Sequence, residues 1–394
     1  MIVEIVEDWD AFQALRPHWQ RLHARDPESG YFLSWRWLAE VFRANPGRWK
    51  VLVARSDASN GEVTGLLPLK HRVRWSESGQ QFKTELGPGG KLSWAQYTGM
   101  ICEPERERAV TGAFADTLLQ TPWARIGFLH DGCRRRLDML LERFPEKMYR
   151  LTERSQMING GEVDNLICPQ VPLPDSFERY LAECVSSNTR QKIRRFWRRF
   201  EADETLTITD SSPATFDGDL DALLDMWRVS WTPVRGEKSV ERAISKYRDV
   251  IAQSHRLDAV NLCTLWRADK RLGALCSFVD RVSKHLYFIV AGRDETVSDP
   301  NIGLLLHTHN IKWAVANGMD IYDFCHGNEA YKFSYGAEAK QLTYLEISRR
   351  SACNVARLDP DHLGEAMRKT IAMLEADRTE AAKNACRQIL PLIA

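Results

Sequence analysis

Residues 301–332 read NIGLLLHTHNIKWAVANGMDIYDFCHGNEAYK, and this stretch decides the fold class. A helix starts near Asn301-Ile302-Gly303 and runs through Leu306 and His307 to Ala316, with Gly318 as a left-handed stop. Ile321-Tyr322-Asp323-Phe324 reads as a short strand, and a Gly-Asn turn leads on to Tyr331-Lys332-Phe333. Upstream, Ala259 to Trp266, Arg271 to Val279 and His285 to Ala291 read as strands, the first two joined by a tight turn at 267–270. Strands that feed a helix and then a further strand give an α/β class with mixed (α+β) sheets. The helix follows a strand ending in Gly292 and has a glycine in its first turn. Backbone N–H groups at such a start suit a phosphate, and an ordinary β-to-α connection has the same pattern.

Working outward, residues 8–25 carry Trp9, Phe12, Leu15, Trp19 and Leu22 at helical spacing, with Asp8 or Asp10 as cap. Ser34 caps a second helix holding Trp37, Leu38, Val41 and Phe42. Trp49 to Ala54 and Val63 to Leu69 are two strands around a turn at Asp57 to Gly61, with Pro68 marking an edge or a strand end. Residues 85–99, around Gly87-Pro88-Gly89-Gly90, read as loop. A helix over 105–119 and a strand over 125–129 follow. Residues 158–175 hold Asn159-Gly160-Gly161, Pro169, Pro172 and Pro174 and read as a connection. Ser176 caps a helix with Phe177, Tyr180 and Leu181, and helices over 216–232 and 239–254 come before the strands. Gln341 to Ile347 is a last strand, and helices fill the stretch past 360. Gly65 and Gly273 each sit early in a returning strand, the mark of a duplicated α/β unit. The expected division is 1–160, 161–350 and a helical tail at 351–394.

Between Ser186 and Glu201, Ile193, Phe196, Trp197 and Phe200 fall on one helical face, and six cations lie between Arg190 and Arg199. A solvated face and a phosphate dock both fit this run. The whole chain, at 394 residues with 54 Lys plus Arg against 53 Asp plus Glu, has a formal charge of +1, which argues against a global field for nucleic acid or acidic membrane. It lacks an 18-residue apolar run and a secretory leader. Nine scattered cysteines without a CxxC pair read as reduced thiols of a cytoplasmic protein and not as structural zinc ligands. The 13 Trp read mainly as packing.

The sequence has no nucleophile elbow, P-loop, dinucleotide fingerprint or HExxH motif. His307 and His309 are two residues apart on a helix and do not share a face, so no metal site is expected. Asp323, Glu329, Tyr331 and Lys332 gather after a buried strand. Such a set can orient an amine, take its proton or protonate a leaving thiolate. A solvated turn with ordinary ion pairs has the same composition.

Asp323-Phe324, Gly327, Glu329 and Tyr331-Lys332 resemble the DF…G…E…YK signature of the acyltransferase family related to CelD. That family belongs to the GNAT acyl-CoA N-acyltransferase superfamily and is similar to the FemAB aminoacyl transferases. Asn301 to Leu306 resembles its Pro-Gly-hydrophobic helix start, although Pro300 stands two residues apart from Gly303. Asn188 to Arg199 resembles its Asn-x-Arg-x-x-x-Arg-Arg helix. Phe32-Leu33-Ser34-Trp35-x-Trp37 and Gly65-Leu66-Leu67-Pro68-Leu69 match its N-terminal half, while Ala95-Gln96-Tyr97 lacks an acidic residue that the family tends to place before Tyr. The likeness spans roughly residues 5–350.

The resemblance implies two tandem GNAT-like domains, the first degenerate and the second holding the donor site. It implies a transferase of acyl groups other than aminoacyl, with acyl-CoA as co-substrate and no permanently bound cofactor. The acceptor would be an amine on a lipid long-chain base, a sugar or a peptide. Tyr287, His307, Asp323 and Tyr331 become candidates for proton handling. Lys332 would stabilise negative charge on the donor or the oxyanion, and Glu329 would act directly or fix Lys332. Asn301, Ile302, Gly303, Arg190 and Arg194 become candidates for donor phosphate. Peripheral contact with the inner membrane would run through the 190–199 helix. A FemAB-like aminoacyl-tRNA-dependent transferase and a non-catalytic GNAT-like protein of polysaccharide or envelope assembly stand as the alternatives.

Overall fold

The computed structural model describes residues 1–56, 61–297, 301–353 and 355–393. Of the expected turn at Asp57 to Gly61 only Gly61 is among them, and Pro300 lies outside. The chain falls into two units, Met1–Ser155 with Leu342–Ala394, and Gln156–Gln341.

The first unit opens with β1 (Ile2–Val6), α1 (Trp9–Ala14), α2 (Arg16–Arg25) and α3 (Trp35–Arg43). The helix expected over 8–25 is two helices. Pro17 stands in the first turn of α2, where its missing N–H costs no ladder bond, and the chain breaks at Leu15. Asp8 caps α1 by accepting from Ala11 N at 2.8 Å, and Ser34 caps α3 through Trp37 N. The Phe12 ring meets Trp19, Trp35, Phe42 and Trp49 at 5.2 to 5.7 Å, so this part of the tryptophan excess goes into packing. Then come β2 (Trp49–Arg55), β3 (Val63–Ser76), β4 (Gln81–Pro88), β5 (Ile101–Cys102), α4 (Glu107–Gln120), β6 (Arg125–Asp131), α5 (Arg134–Leu141) and β7 (Tyr149–Glu153).

The second unit contains β8 (Met157–Ile158), β9 (Val163–Asp164), β10 (Ile167–Pro172), α6 (Phe177–Glu183), α7 (Ser187–Ala202), β11 (Leu206–Asp210), α8 (Phe216–Arg235) and α9 (Glu237–Arg256). It continues with β12 (Val260–Arg267), β13 (Lys270–Asp280), β14 (His285–Arg293), α10 (Ile302–Ala316), β15 (Ile321–Asp323), α11 (Ala330–Phe333) and β16 (Glu338–Gln341). The chain then returns to the first unit as β17 (Thr343–Arg349), α12 (Leu363–Glu375) and α13 (Thr379–Ile393). The division therefore differs from 161–350 plus a separate tail. β17 pairs with β6 and β7, and the last two helices pack Ala366, Met373, Ala385 and Ile389 on Val73 and Phe82.

The first sheet runs β1-β2-β3-β4-β6-β17-β7, with β5 beside β3; the second runs β11-β12-β13-β14-β15-β10-β16. Three sequence expectations change here. Pro68 lies inside an interior strand, opposite Val51. His71 N donates to Arg48 O on the β2 side, so by alternation the Pro68 nitrogen faces the other flank. That flank is a gap between the pairs Leu66–Ile101 and Leu69–Pro88, where no ladder bond is lost. Gly87-Pro88 ends β4 and is not loop. Pro169 and Pro172 belong to β10, so part of the expected connection at 158–175 is a strand of the second sheet.

The two units repeat one plan. Gly65 of β3 lies under Val110 of α4, and Gly273 of β13 lies under Ile302 of α10. In each unit a parallel pair follows: β4 with β6, and β14 with β15. Each second strand leads to a left-handed residue, His130 (φ +61°) and Cys325 (φ +55°), and two positions on to Gly132 and Gly327. The difference lies where the strands part. In the first unit Thr98 bridges Asp131 past Leu86–Ile126, its N–H donates to His130 O at 2.9 Å, and the Lys91 ammonium meets His130 Nδ1 at 2.7 Å. The chain itself thus occupies that opening.

Candidate active site

In the second unit β14 and β15 stay in register for three pairs, the last being Tyr287–Asp323. The β13–β14 ladder slips next to this point. Cys276 pairs with Val290 and Ser277 with Phe288, leaving Ile289 as a bulge that bends β14. The chain after β15 leans towards β10, with Phe324 N donating to Pro169 O and Gly327 N to Ile167 O, both at 2.9 Å. Among the described residues no strand pairs with β14 on this side past Tyr287.

Asp323 is fully buried at the fork. It accepts from Gln170 Nε2 at 2.8 Å and from Cys325 N at 2.7 Å. The second bond closes the turn that holds Cys325 left-handed. Its place is thus inside the turn, away from solvent. Tyr287 is also buried, stacks on His285 with centroids 5.6 Å apart, and its phenol is pushed well up by burial.

Lys332 is 3% exposed. The ammonium donates to His326 O at 2.7 Å and to Gly327 O at 2.9 Å, and it forms an ion pair with Glu329 Oε2 at 2.8 Å. The lysine therefore clamps the turn from His326 to Glu329. Gly327, at φ +100°, fits because a β-carbon there would lie 2.5 Å from the Glu329 carboxylate.

His307 projects from α10 among the rings of Phe288, Tyr322, Phe324, Tyr331 and Tyr335, with centroids 4.8 to 6.1 Å away. Its Nδ1 is 2.8 Å from Tyr322 Oη. Burial first, and then the Lys332 charge, pull its pKa down to about 3, so the ring is neutral at neutral pH. Tyr331 belongs to this ring cluster and is 45% exposed, so its edge reaches solvent. Its phenol is pushed up, first by burial and then by Glu329, and keeps its proton through the neutral range. His309 turns away to Asp210 at 3.2 Å, and among the described residues no group of three or more His, Cys, Asp or Glu could hold a metal ion.

At the start of α10 the Ile302 side chain is buried over Gly273, so only its backbone is available, whereas a β-carbon at Gly303 would meet open space. The N–H groups of this first turn lie outside the helix's own ladder. Asn301 is the N-cap and is nearly buried. The structure gives the two expected arginines other tasks. Arg190 donates to Leu181 O and Ala182 O at the end of α6, both at 3.1 Å, and Arg194 pairs with Glu178 at 2.9 Å. Phe196, Trp197 and Phe200 pack on the cluster that contains Ile302, Leu305 and Leu306. Arg195 and Arg199 both stack on Phe196. These two are thus the cations of α7 at the start of α10.

Sequence reasoning missed Gln170, Tyr322, Phe324, Cys325 and Tyr335 as members of the site. Gln170 sat in a proline-rich stretch that masked its strand. The alternation Ile321-Tyr322-Asp323-Phe324 was the signal for a strand with both faces in use.

Residues 187–333 match the family model described as an acetyltransferase (GNAT) domain. Among solved structures, FemX superposes with a TM-score of 0.57 at 10% identity, covering 87% of this chain and 96% of FemX. A conserved protein of unknown function from Bacteroides thetaiotaomicron VPI-5482 gives 0.52 at 12% identity, covering 89% of this chain and 100% of its own. No curated protein matches the sequence. Residues 187–333 thus match a GNAT domain, and the chain as a whole shares the fold of FemX.

Proposed function

We propose that the second unit joins an acyl thioester of the acyl-CoA class to an amine. The observation that carries this reading is the parting of β14 and β15 past Tyr287 and Asp323. It leaves one edge of β14 open where the end of that strand and the start of α10 meet over Gly273. An extended donor arm with amide groups can pair with such an edge as an added strand does. Its phosphates fall to the first-turn N–H groups of Ile302, Gly303 and Leu304, with Asn301 at the cap. Arg195 and Arg199 take the place of Arg190 and Arg194 as the cations that face them.

The amine nitrogen attacks the thioester carbonyl carbon. A C–N bond forms, the C–S bond breaks, the nitrogen releases its proton to water, and the sulfur leaves as thiolate and is protonated from solvent. Tyr331, which keeps its proton, acts as hydrogen-bond donor to the oxyanion or the departing sulfur. His307, neutral and with a pKa of about 3, is a wall of the site and not its base. Asp323, Lys332 and Glu329 hold the turn that presents Tyr331, and Tyr287 marks the fork. The aromatic wall supports an acceptor with an apolar body, such as a lipid long-chain base, over a sugar. The outward cations of α7 support peripheral contact with an anionic membrane that carries it.

Calorimetric titration with CoA, acetyl-CoA and a long-chain acyl-CoA tests the donor. Binding of the long-chain thioester, followed by turnover with long-chain amines, supports the reading. The same α7 cations favour an aminoacyl-tRNA donor as the second reading. Binding of aminoacyl-tRNA with a steep salt dependence, and of no thioester, would replace the first reading by the second.

A further inference from the structure

The helix α12 has two apolar faces. One, formed by Ala366, Thr370 and Met373, packs inward with α13 on β3 and β4. The other carries Met367, Ile371 and Leu374 at spacings of four and three residues, 43%, 53% and 52% exposed. Such a stripe on one helix is the seam of a two-helix contact.

The charges beside the stripe decide what covers it. Several ions of this hairpin are already paired: Glu365 with Lys369 and Glu380 with Lys383 inside it, and Arg378 with Glu77 beyond β3. Arg368 and Glu375, which flank the stripe at its two ends, make no ion pair among the described residues. One end of the seam is basic and the other acidic. A copy of the same helix laid antiparallel brings Arg368 opposite Glu375 twice, whereas a parallel copy leaves the two on opposite sides of the seam. With the two-fold axis near Ala372, Ile371 faces Leu374 of the second copy in both halves of the contact. An anionic bilayer would meet Glu375 and Asp377 at one end of the same seam, which opposes it.

We propose that α12 is a self-association face, on which two copies of this chain pair their α12 helices antiparallel about a two-fold axis. Gly364, exposed one turn before Met367, leaves room for close approach at that end of the seam. The contact is isologous, so each substitution in it counts twice.

Sedimentation equilibrium of the full chain over a wide concentration range tests this, with Arg368→Glu, Glu375→Arg and the double exchange. The wild type is expected to be dimeric. Each single exchange should weaken the dimer by about tenfold, and the double exchange should restore it. A chain that is monomeric at every concentration would overturn the proposal. So would a double exchange no better than the singles. Flotation of the wild type with phosphatidylcholine–phosphatidylglycerol vesicles, lost on Ile371→Ser, would assign the stripe to a membrane instead.

Discussion

The β-carbon that Gly273 lacks would lie 2.6 Å from Cγ2 of Ile302. The start of α10 can therefore settle on β13 only where no side chain stands. Gly273→Ala must push α10 off the sheet, and overpacking of this kind costs roughly 1–3 kcal/mol. We expect a lower melting temperature and weaker thioester binding. Adding Ile302→Ala should return most of the stability. A Gly273→Ala protein with wild-type melting would refute the close fit.

Lys332 holds the turn from His326 to Glu329, and in the proposed reaction it does not meet the oxyanion. Lys332→Met leaves the carbonyls of His326 and Gly327 without their donor and the Glu329 carboxylate without its counter-ion. We expect a loss of about 1–3 kcal/mol in denaturant unfolding, discounted for the partial exposure of Glu329. A variant that unfolds like the wild type while losing only kcat would return Lys332 to the chemistry.

Tyr331→Phe removes one hydrogen-bond donor and keeps the ring. Unfolding should be nearly unchanged, and kcat/KM with thioester and amine should fall by about a hundredfold. Unchanged turnover would take the hydroxyl out of the mechanism.

Arg195 and Arg199 predict a separable effect. Alanine at both should raise the Kd for CoA by about tenfold and flatten its salt dependence. Alanine at Arg190 should instead loosen the end of α6 and leave donor affinity in place. The reverse pattern would restore the N-terminal part of α7 as the phosphate site.

Acid should weaken both units. His307 in the second unit and His71 in the first have folded pKa values of about 3, lowered chiefly by burial, against about 6.5 for a free side chain. The unfolded chain therefore takes up protons first. The stability linked to each ring is complete above pH 6.5 and is lost as the pH falls from there towards 3. The slope approaches about 1.4 kcal/mol per pH unit for each histidine. Unfolding measured at pH 7, 6 and 5 should show it, and His307→Phe should flatten its share. Equal slopes in the wild type and the variant would contradict the buried neutral ring.

The strand–helix–strand of 259–323 was readable because apolar period and turn residues agree there, and Gly318 ends α10 at φ +67° as its chemistry asks. Gly65 and Gly273 announced the repeat before their partners Val110 and Ile302 were known. Other parts depended on tertiary neighbours. Pro68, Pro169 and Pro172 signal breaks locally, and only the adjacent strands show that Pro68 loses no bond. The motif residues Asp323 and Lys332 were found, but burial decides that they hold a turn and do not meet solvent. Arg190 and Arg195 look alike in the sequence. The direction in which α7 packs on α10 separates them.

Among the described residues β17 alone links β6 to β7 in the first sheet. The ribosome delivers it after the whole second unit. Residues 156–341 are contiguous and have all their strands in hand when Gln341 emerges. The first unit must wait, with the open edges of β6 and β7, for residues 343–349. Translation order thus sets maturation order: of these two units, the one whose strands come first is the last to finish. A nascent chain stalled before β17 would expose two unpaired strand edges to chaperones and proteases.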